Sequence, residues 1–401
     1  MIYLDNSATS PISQAAKDKI AEVIDTFGNP SSVHFVGLDA ARLVDEARDA
    51  LFDGLSIPKY RRIDGKLPIG AGKKDAYRFF FTSGGSESDN TAIFGLLTAK
   101  KFRELPRILT TDSEHPAMLE PLAAAAKMGL CEYRLIPTAG GKLDLDFLER
   151  ELTPNTALVS IMTANNETGA LYDLASAFAL AHRRVPTAVC HTDAVQAFMK
   201  TKFAPMSLGA DLVSISGHKF GAPKGVGGLL VNNSLLVAKR LAPIVYGGGQ
   251  EGGMRAGTEN LLGIAAMGAA CRHACDHFDE SIARVNECRE AFCEIVESAG
   301  TVNLPEKYLP HIISLTFRGV RSETLVRAMS GQGICISNGS ACSSHGNHRT
   351  LAGMSVLEAF GLTPSDADST VRISMSGDNT KDELINAANA LVSLVPTLVH
   401  K

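Results

Sequence analysis

Six short β-rich runs, separated by helical patterns and spread over residues 78–231, constrain the fold of this 401-residue chain more than any other feature. They read Arg78–Thr82, Arg107–Thr111, Ala157–Met162, Ala188–Cys190, Asp211–Ile215 and Gly228–Val231. Several are continuously apolar instead of alternating, the pattern of strands covered on both faces. Helical segments such as Pro116–Met128 and Leu174–Arg183 lie between them, which predicts an α/β domain around a mostly parallel sheet. After the glycine-rich stretch Tyr246–Gly257 the pattern changes. A long helical region over 259–299 is followed by strand candidates at His311–Phe317, Ile334–Ser337 and Val371–Met375, with a closing helix from Lys381. This predicts a second, smaller α+β domain, and the length suits two domains.

Bulk properties serve mainly to exclude. A formal net charge of -4 gives no basic surface for nucleic acid. No apolar run reaches the ~18 residues of a membrane span, and the longest candidate, Leu261–Ala270, stops at Cys271-Arg272. The opening MIYLDNSATS has neither the basic start of a secretory signal nor the Arg-rich look of a transit peptide, so a cytoplasmic location is expected. The eight cysteines then read as reduced thiols. Residues 57–76 hold two prolines, several glycines, six Lys or Arg and two Asp, and read as a solvated loop, with a docking surface for an acidic partner as the alternative.

The chemistry-bearing residues fall at predicted strand ends. Ser214-Ile215-Ser216-Gly217-His218-Lys219 places a lysine just past a buried strand, where partial desolvation lowers the amine pKa and prepares it to form an imine with an aldehyde cofactor. His191-Thr192-Asp193-Ala194-Val195-Gln196 offers a carboxylate at the next strand end, able to hold a proton on a pyridine nitrogen; alone, Asp193 would read more readily as a helix N-cap. Phe81-Thr82-Ser83-Gly84-Gly85-Ser86-Glu87-Ser88 joins a strand to a helix start whose free N–H groups suit a phosphate, although Glu87 argues mildly against one. Asn165-Asn166-Glu167 and His115 complete the set as turn residues. Ligands of α/β sheets bind at such strand ends.

With these motifs in place, the sequence resembles the cysteine desulfurases, a branch of the class V aminotransferase group within fold type I of the pyridoxal-phosphate enzymes. The resemblance runs nearly end to end, from Leu4-Asp5-Asn6-Ser7-Ala8-Thr9 through Gly28-Asn29-Pro30-Ser31-Ser32 to Val371-Arg372-Ile373-Ser374. Its most specific stretches are Thr82–Asn90, Asn165–Gly169, His191–Gln196, Ser214–Lys219, Gly247–Asn260 and Gly339-Ser340-Ala341-Cys342-Ser343-Ser344. The resemblance implies a fold type I PLP-dependent transferase, with a large PLP-binding domain over 14–258. Residues 1–13 and 259–401 would form the small domain carrying the cysteine loop.

It further implies conversion of L-cysteine to L-alanine, with sulfur passed to Cys342 as a persulfide. Lys219 would carry pyridoxal 5'-phosphate and remove the substrate's Cα proton, and Asp193 would pair with the pyridine nitrogen. His115 would stack on the ring and Gln196 would bond the phenolic oxygen. Gly85, Ser86, Ser216 and His218 would hold the phosphate, with Thr258 reaching the phosphate of the neighbouring subunit in a homodimer. Arg372, helped by Asn166, would clamp the substrate carboxylate. A sulfur-acceptor protein, such as an iron–sulfur scaffold, is the implied partner. Selenocysteine lysis, transamination and a non-catalytic scaffold are the competing readings. Cys335 reads as a packing residue inside an apolar strand.

Four features depart from the family pattern: the length of 57–76, Gly252 where arginine is usual, Ser86 where threonine is common, and the histidine-rich run from His345 to His348. Cys342, His345 and His348 could ligate zinc or an iron–sulfur cluster, His345 could take the Cys342 proton, or the segment is a plain loop. In Cys271-Arg-His273-Ala-Cys275-Asp-His277 the two cysteines share one helix face and the two histidines another, which reads as helix packing.

Overall fold

The computed structural model describes residues 1–339 and 353–399. A two-residue strand, β1 (Ile2–Tyr3), precedes the central strands β2 (Tyr77–Thr82), β3 (Arg107–Thr111), β4 (Glu132–Ile136), β5 (Thr156–Ser160), β6 (Val189–Asp193), β7 (Leu212–Ser216) and β8 (Gly227–Asn232). These seven central strands form one sheet in the order β2-β8-β7-β6-β5-β3-β4. Only β8 runs antiparallel to its neighbours. The short β7–β8 connection has no room for the crossover that a parallel pair requires.

The continuous apolar runs behave as strands buried on both faces. Phe79 and Phe81 pack with helices Phe35–Gly54, Leu174–Arg184 and Leu261–Asp276, whereas Phe80 faces helices Gly85–Ala99 and Pro116–Lys127. A separate core forms around β9 (Thr301–Val302), β10 (Ile312–Thr316), β12 (Ser337–Asn338) and β13 (Thr370–Ser374), whose sheet order is β12-β13-β10-β9. Helices Phe278–Val296, Ser322–Gly331 and Lys381–Leu398 cover it. The N-terminus joins this second core: β1 pairs with β11 (Ile334–Cys335), and Leu4 is buried there.

Several sequence expectations change. The run Ile334–Ser337 is two strands in two sheets, β11 and β12. The helical region over 259–299 breaks at His277 into Leu261–Asp276 and Phe278–Val296. Strand β4 has no counterpart in the sequence reading, because an edge strand carrying Glu132 and Arg134 shows no apolar run. Residues 57–76 are not merely solvated. Ile57 and Ile63 are buried, and the Arg78 guanidinium donates to the carbonyls of Leu67 (2.6 Å), Pro68 (3.1 Å) and Ala71 (2.9 Å). Among the described residues, no helix is long and apolar enough to cross a membrane.

Candidate active site

Because β2, β3, β5, β6 and β7 run the same way, their C-terminal ends share one edge of the sheet, and the motifs of the sequence reading meet there. The loop after β2 leads into helix Gly85–Ala99, whose first N–H groups have no intrahelical acceptor. A Cβ on Gly85 would lie 2.8 Å from Val195 Cγ2, and one on Gly84 3.7 Å from Ser216 Oγ. Glycine therefore lets this helix start close against the turns after β6 and β7. Glu87 does not oppose an anion there, since its carboxylate accepts from Arg255 Nε (3.0 Å) and Ser83 N (2.8 Å).

Lys219 ends a single 3-10 turn after β7, and its Nζ donates to the carbonyls of Ser7 (2.5 Å) and Ala8 (2.8 Å). The segment Asp5–Ser10 thus crosses the site as a strap. Its Thr9 Oγ1 lies 3.2 Å from His218 Nδ1, and Ser7 O also accepts from Gln196 Nε2 at 2.9 Å. Burial and the neighbouring Lys219 charge pull His218 down to about 4, so its ring is neutral near pH 7.

Asp193 is the last residue of β6 and is buried, with Oδ1 accepting from Val195 N at 2.8 Å. Burial pushes its carboxyl up to about 6, opposed by that N–H and by the Lys219 charge, so it is ionised at neutral pH. Asp89 lies behind it, held well above the usual carboxyl range by burial and by the Asp193 charge. Beneath them His191 bonds Ser160 Oγ (2.8 Å) and Ser214 Oγ (3.0 Å), and burial drives its pKa down to about 3. Of two adjacent buried carboxyls only one ionises easily, and here it is Asp193, which has the Lys219 charge beside it.

His115 is the N-cap of helix Pro116–Lys127, and its Nδ1 accepts from Ala117 N at 3.1 Å. That bond places the ring proton on Nε2. Burial and the Lys219 charge lower His115 to about 4, so the neutral tautomer is the resident form. Gln196, on the turn after Asp193, accepts from Lys200 Nζ at 3.3 Å. Lys200 is a buried second amine, lowered to about 7 by burial and by the Lys219 and Arg372 charges. Arg372 on β13 is also buried, donating to Asn166 O (2.9 Å) and to Asp5 Oδ1 (2.8 Å).

Lys219, Asp193, His115, Gln196, Ser216, His218, Asn166 and Arg372 therefore converge with the Gly85–Ser86 helix start. Thr258 is exposed beside Gly257, on the surface. Cys342, His345 and His348 lie outside the described residues. Sequence reasoning missed Asp5, Ser7, Ala8 and Lys200 as site residues. Lys200 opens the triplet Lys200-Thr201-Lys202, which reads as surface, and the strap carried only the resemblance. The donor set suits pyridoxal phosphate: an ionised buried carboxylate, a lysine at the adjacent strand end, and an exposed helix start flanked by Ser216 and His218.

A model of the aminotransferase class-V family matches residues 69–386. A cysteine desulfurase of Gluconacetobacter diazotrophicus is 34% identical over 403 residues, covering 99% of this chain and 94% of that protein. One from Nostoc sp. is 33% identical, covering 100% of this chain and 93% of that protein. Among solved structures, a NifS-like protein aligns with a TM-score of 0.87 at 28% identity, covering 99% of this chain and 100% of the other. SspA in complex with cysteine aligns with a TM-score of 0.76 at 28% identity, covering 94% and 99%.

Proposed function

We infer the site's chemistry from one premise: the chain belongs to the aminotransferase class-V family and, within it, to the cysteine desulfurases. It is a desulfurase that converts L-cysteine to L-alanine. The observation that best supports the residue roles is the pairing of an ionised, buried Asp193 with Lys219 on neighbouring strand ends.

Pyridoxal phosphate, when bound, supplies an electron sink that makes the amino acid's Cα–H acidic. Asp193 would keep the ring nitrogen protonated, and Gln196 would face the phenolic oxygen. The helix start at Gly85 and Ser86, with Ser216 and His218, would hold the phosphate, and His115 would cover the ring as a neutral imidazole. Lys219 takes up the Cα proton, and the Ser7 and Ala8 carbonyls are placed to stabilise the ammonium so formed. Arg372 and Asn166 receive the substrate carboxylate; a guanidinium suits that task.

Cys342 then accepts sulfur. Its thiolate forms an S–S bond to the substrate's sulfur while the substrate's C–S bond breaks. The substrate keeps that electron pair and takes up a proton at Cβ, which makes it alanine; Cys342 is left as a persulfide. A homodimer completed by Thr258, with a sulfur-accepting protein partner, belongs to the same reading. Mass spectrometry of the protein after incubation with L-cysteine tests it. One added sulfur on the Cys342 peptide, with stoichiometric alanine and no sulfide release from Cys342→Ala, is expected; wild-type sulfide output from that variant refutes the role.

A further inference from the structure

The motif Cys271 to His277 has no part in the desulfurase site, yet its cysteine face is more specific than helix packing requires. Cys271 and Cys275 lie one turn apart on helix Leu261–Asp276. Cys275 Sγ also sits 3.9 Å from the thioether sulfur of Met199. A Cβ on Gly54 would lie 2.5 Å from Met199 Cε and 2.7 Å from Cys271 Sγ, so glycine is what allows this gathering of sulfurs. Met199 reaches the cluster from a left-handed backbone, φ 62°, which a non-glycine residue adopts at a cost of about 1 kcal/mol. Two thiols and a thioether thus gather beside Gly54, Cys275 Sγ against the Met199 sulfur and Cys271 Sγ against the same glycine as Met199 Cε.

We propose that Cys271, Cys275 and Met199 form a binding site for a soft monovalent d10 cation of the Cu(I) type, separate from the desulfurase site. Thiolate and thioether ligands select such ions. A trigonal sulfur set with metal–sulfur distances near the roughly 2.3 Å of metal–thiolate bonds has sulfurs about 4 Å apart, the separation seen between Cys275 and Met199. Access comes through a surface cavity of about 520 Å³ lined by Cys275, Met199, Gly54 and Asp53. Cys271 is fully buried against the Ala50 carbonyl, so an ion would enter past Cys275. Binding releases the two thiol protons to solvent and involves no change of oxidation state. The neighbouring histidines are not ligands: the His273 and His277 rings lie against each other at a 42° tilt, centroids 4.3 Å apart, and line a different cavity together with Lys219.

The test titrates Cu(I) anaerobically into the cofactor-loaded protein carrying Cys342→Ser, against a chelator that strips adventitious ions. One equivalent retained per chain, with X-ray absorption showing only sulfur neighbours, is expected. Cys275→Ala and the milder Cys271→Ser should each lower retention at least tenfold, with the far-ultraviolet circular dichroism spectrum unchanged as a check on folding. Equal retention in the Cys271→Ser/Cys275→Ala double variant overturns the site. Complete stripping by the chelator, or nitrogen neighbours in the absorption spectrum, overturns it equally.

Discussion

Arg372 Nη2 donates to Asp5 Oδ1 at 2.8 Å across 367 residues of sequence, so the guanidinium assigned to the substrate already holds a carboxylate of its own chain. Asp5 belongs to the strap whose Ser7 and Ala8 carbonyls accept from Lys219. A substrate carboxylate entering this site competes with Asp5 for a buried cation.

That competition predicts a split response to Asp5→Asn. Without ligand, the variant leaves Arg372 buried and uncompensated, a loss of about 2–3 kcal/mol because Asp5 itself is partly open to water. L-Alanine should then raise the melting temperature of the variant more than that of the wild type, and KM for L-cysteine should fall. A rise in KM with unchanged melting temperature would mean that Asp5 orients Arg372 for substrate and does not compete with it.

Gly252 and the insertion at 57–76 are one structural event. Gly252 has φ 64°, Ile69 N donates to its carbonyl at 3.3 Å, and a Cβ there would overlap the Leu67 carbonyl oxygen. Gly252→Ala should cost about 2 kcal/mol or more by urea unfolding, from backbone strain plus the clash. Deleting residues 64–74 should make position 252 tolerant, so that Gly252→Arg in the shortened chain recovers stability over Gly252→Arg alone. If the two changes simply add, the coupling is absent.

Acid sensitivity should trace to buried neutral histidines. His191 and His311 are both lowered to about 3, His191 by burial and His311 by burial and then the Lys200 charge. The unfolded chain binds a proton at each below about pH 6.5, whereas the folded chain does not, so what these two histidines contribute to stability falls with pH from about 6.5 downward. Glu114, raised to about 8 by burial, acts oppositely: the folded form keeps a proton that the unfolded chain releases above about 4.5. Glu167, Asp89 and Asp193, all raised chiefly by burial, act with Glu114, while His115 and His218 act with the two histidines, so the effect is read by removing one histidine at a time. Urea unfolding at pH 7, 6 and 5 should show His191→Asn losing less stability on acidification than the wild type, by up to about 1.4 kcal/mol per pH unit. Parallel slopes for variant and wild type would contradict this.

What the sequence made legible, and what it hid, follows from the range of each interaction. Phe79-Phe80-Phe81 announces a strand covered on both faces because each ring alone is large and apolar. Lys219, Asp193 and the Gly84–Gly85 turn were readable because each directly follows a recognisable strand. The Asp5–Arg372 pair and the strap over Lys219 were not, since contacts across more than 200 residues leave no local pattern. His191 and Asp193 lengthened β6 beyond its apolar run, because their burial rests on hydrogen bonds and electrostatics that periodicity does not register. Lys200 was hidden for the same reason, a charged side chain read as surface but buried beside Gln196.

The burial of Lys200 also sharpens the decisive experiment. Two amines stand near the site, and Lys200, at about 7, is partly neutral at physiological pH. Borohydride reduction of the cofactor-loaded protein, followed by peptide mapping, reports which lysine is joined to pyridoxal phosphate. The pyridoxyl group should be found on Lys219 alone, and Asp193→Asn should weaken cofactor retention without moving it. A pyridoxyl group on Lys200, or on no lysine at all, would contradict the placement of the cofactor between Lys219 and Asp193.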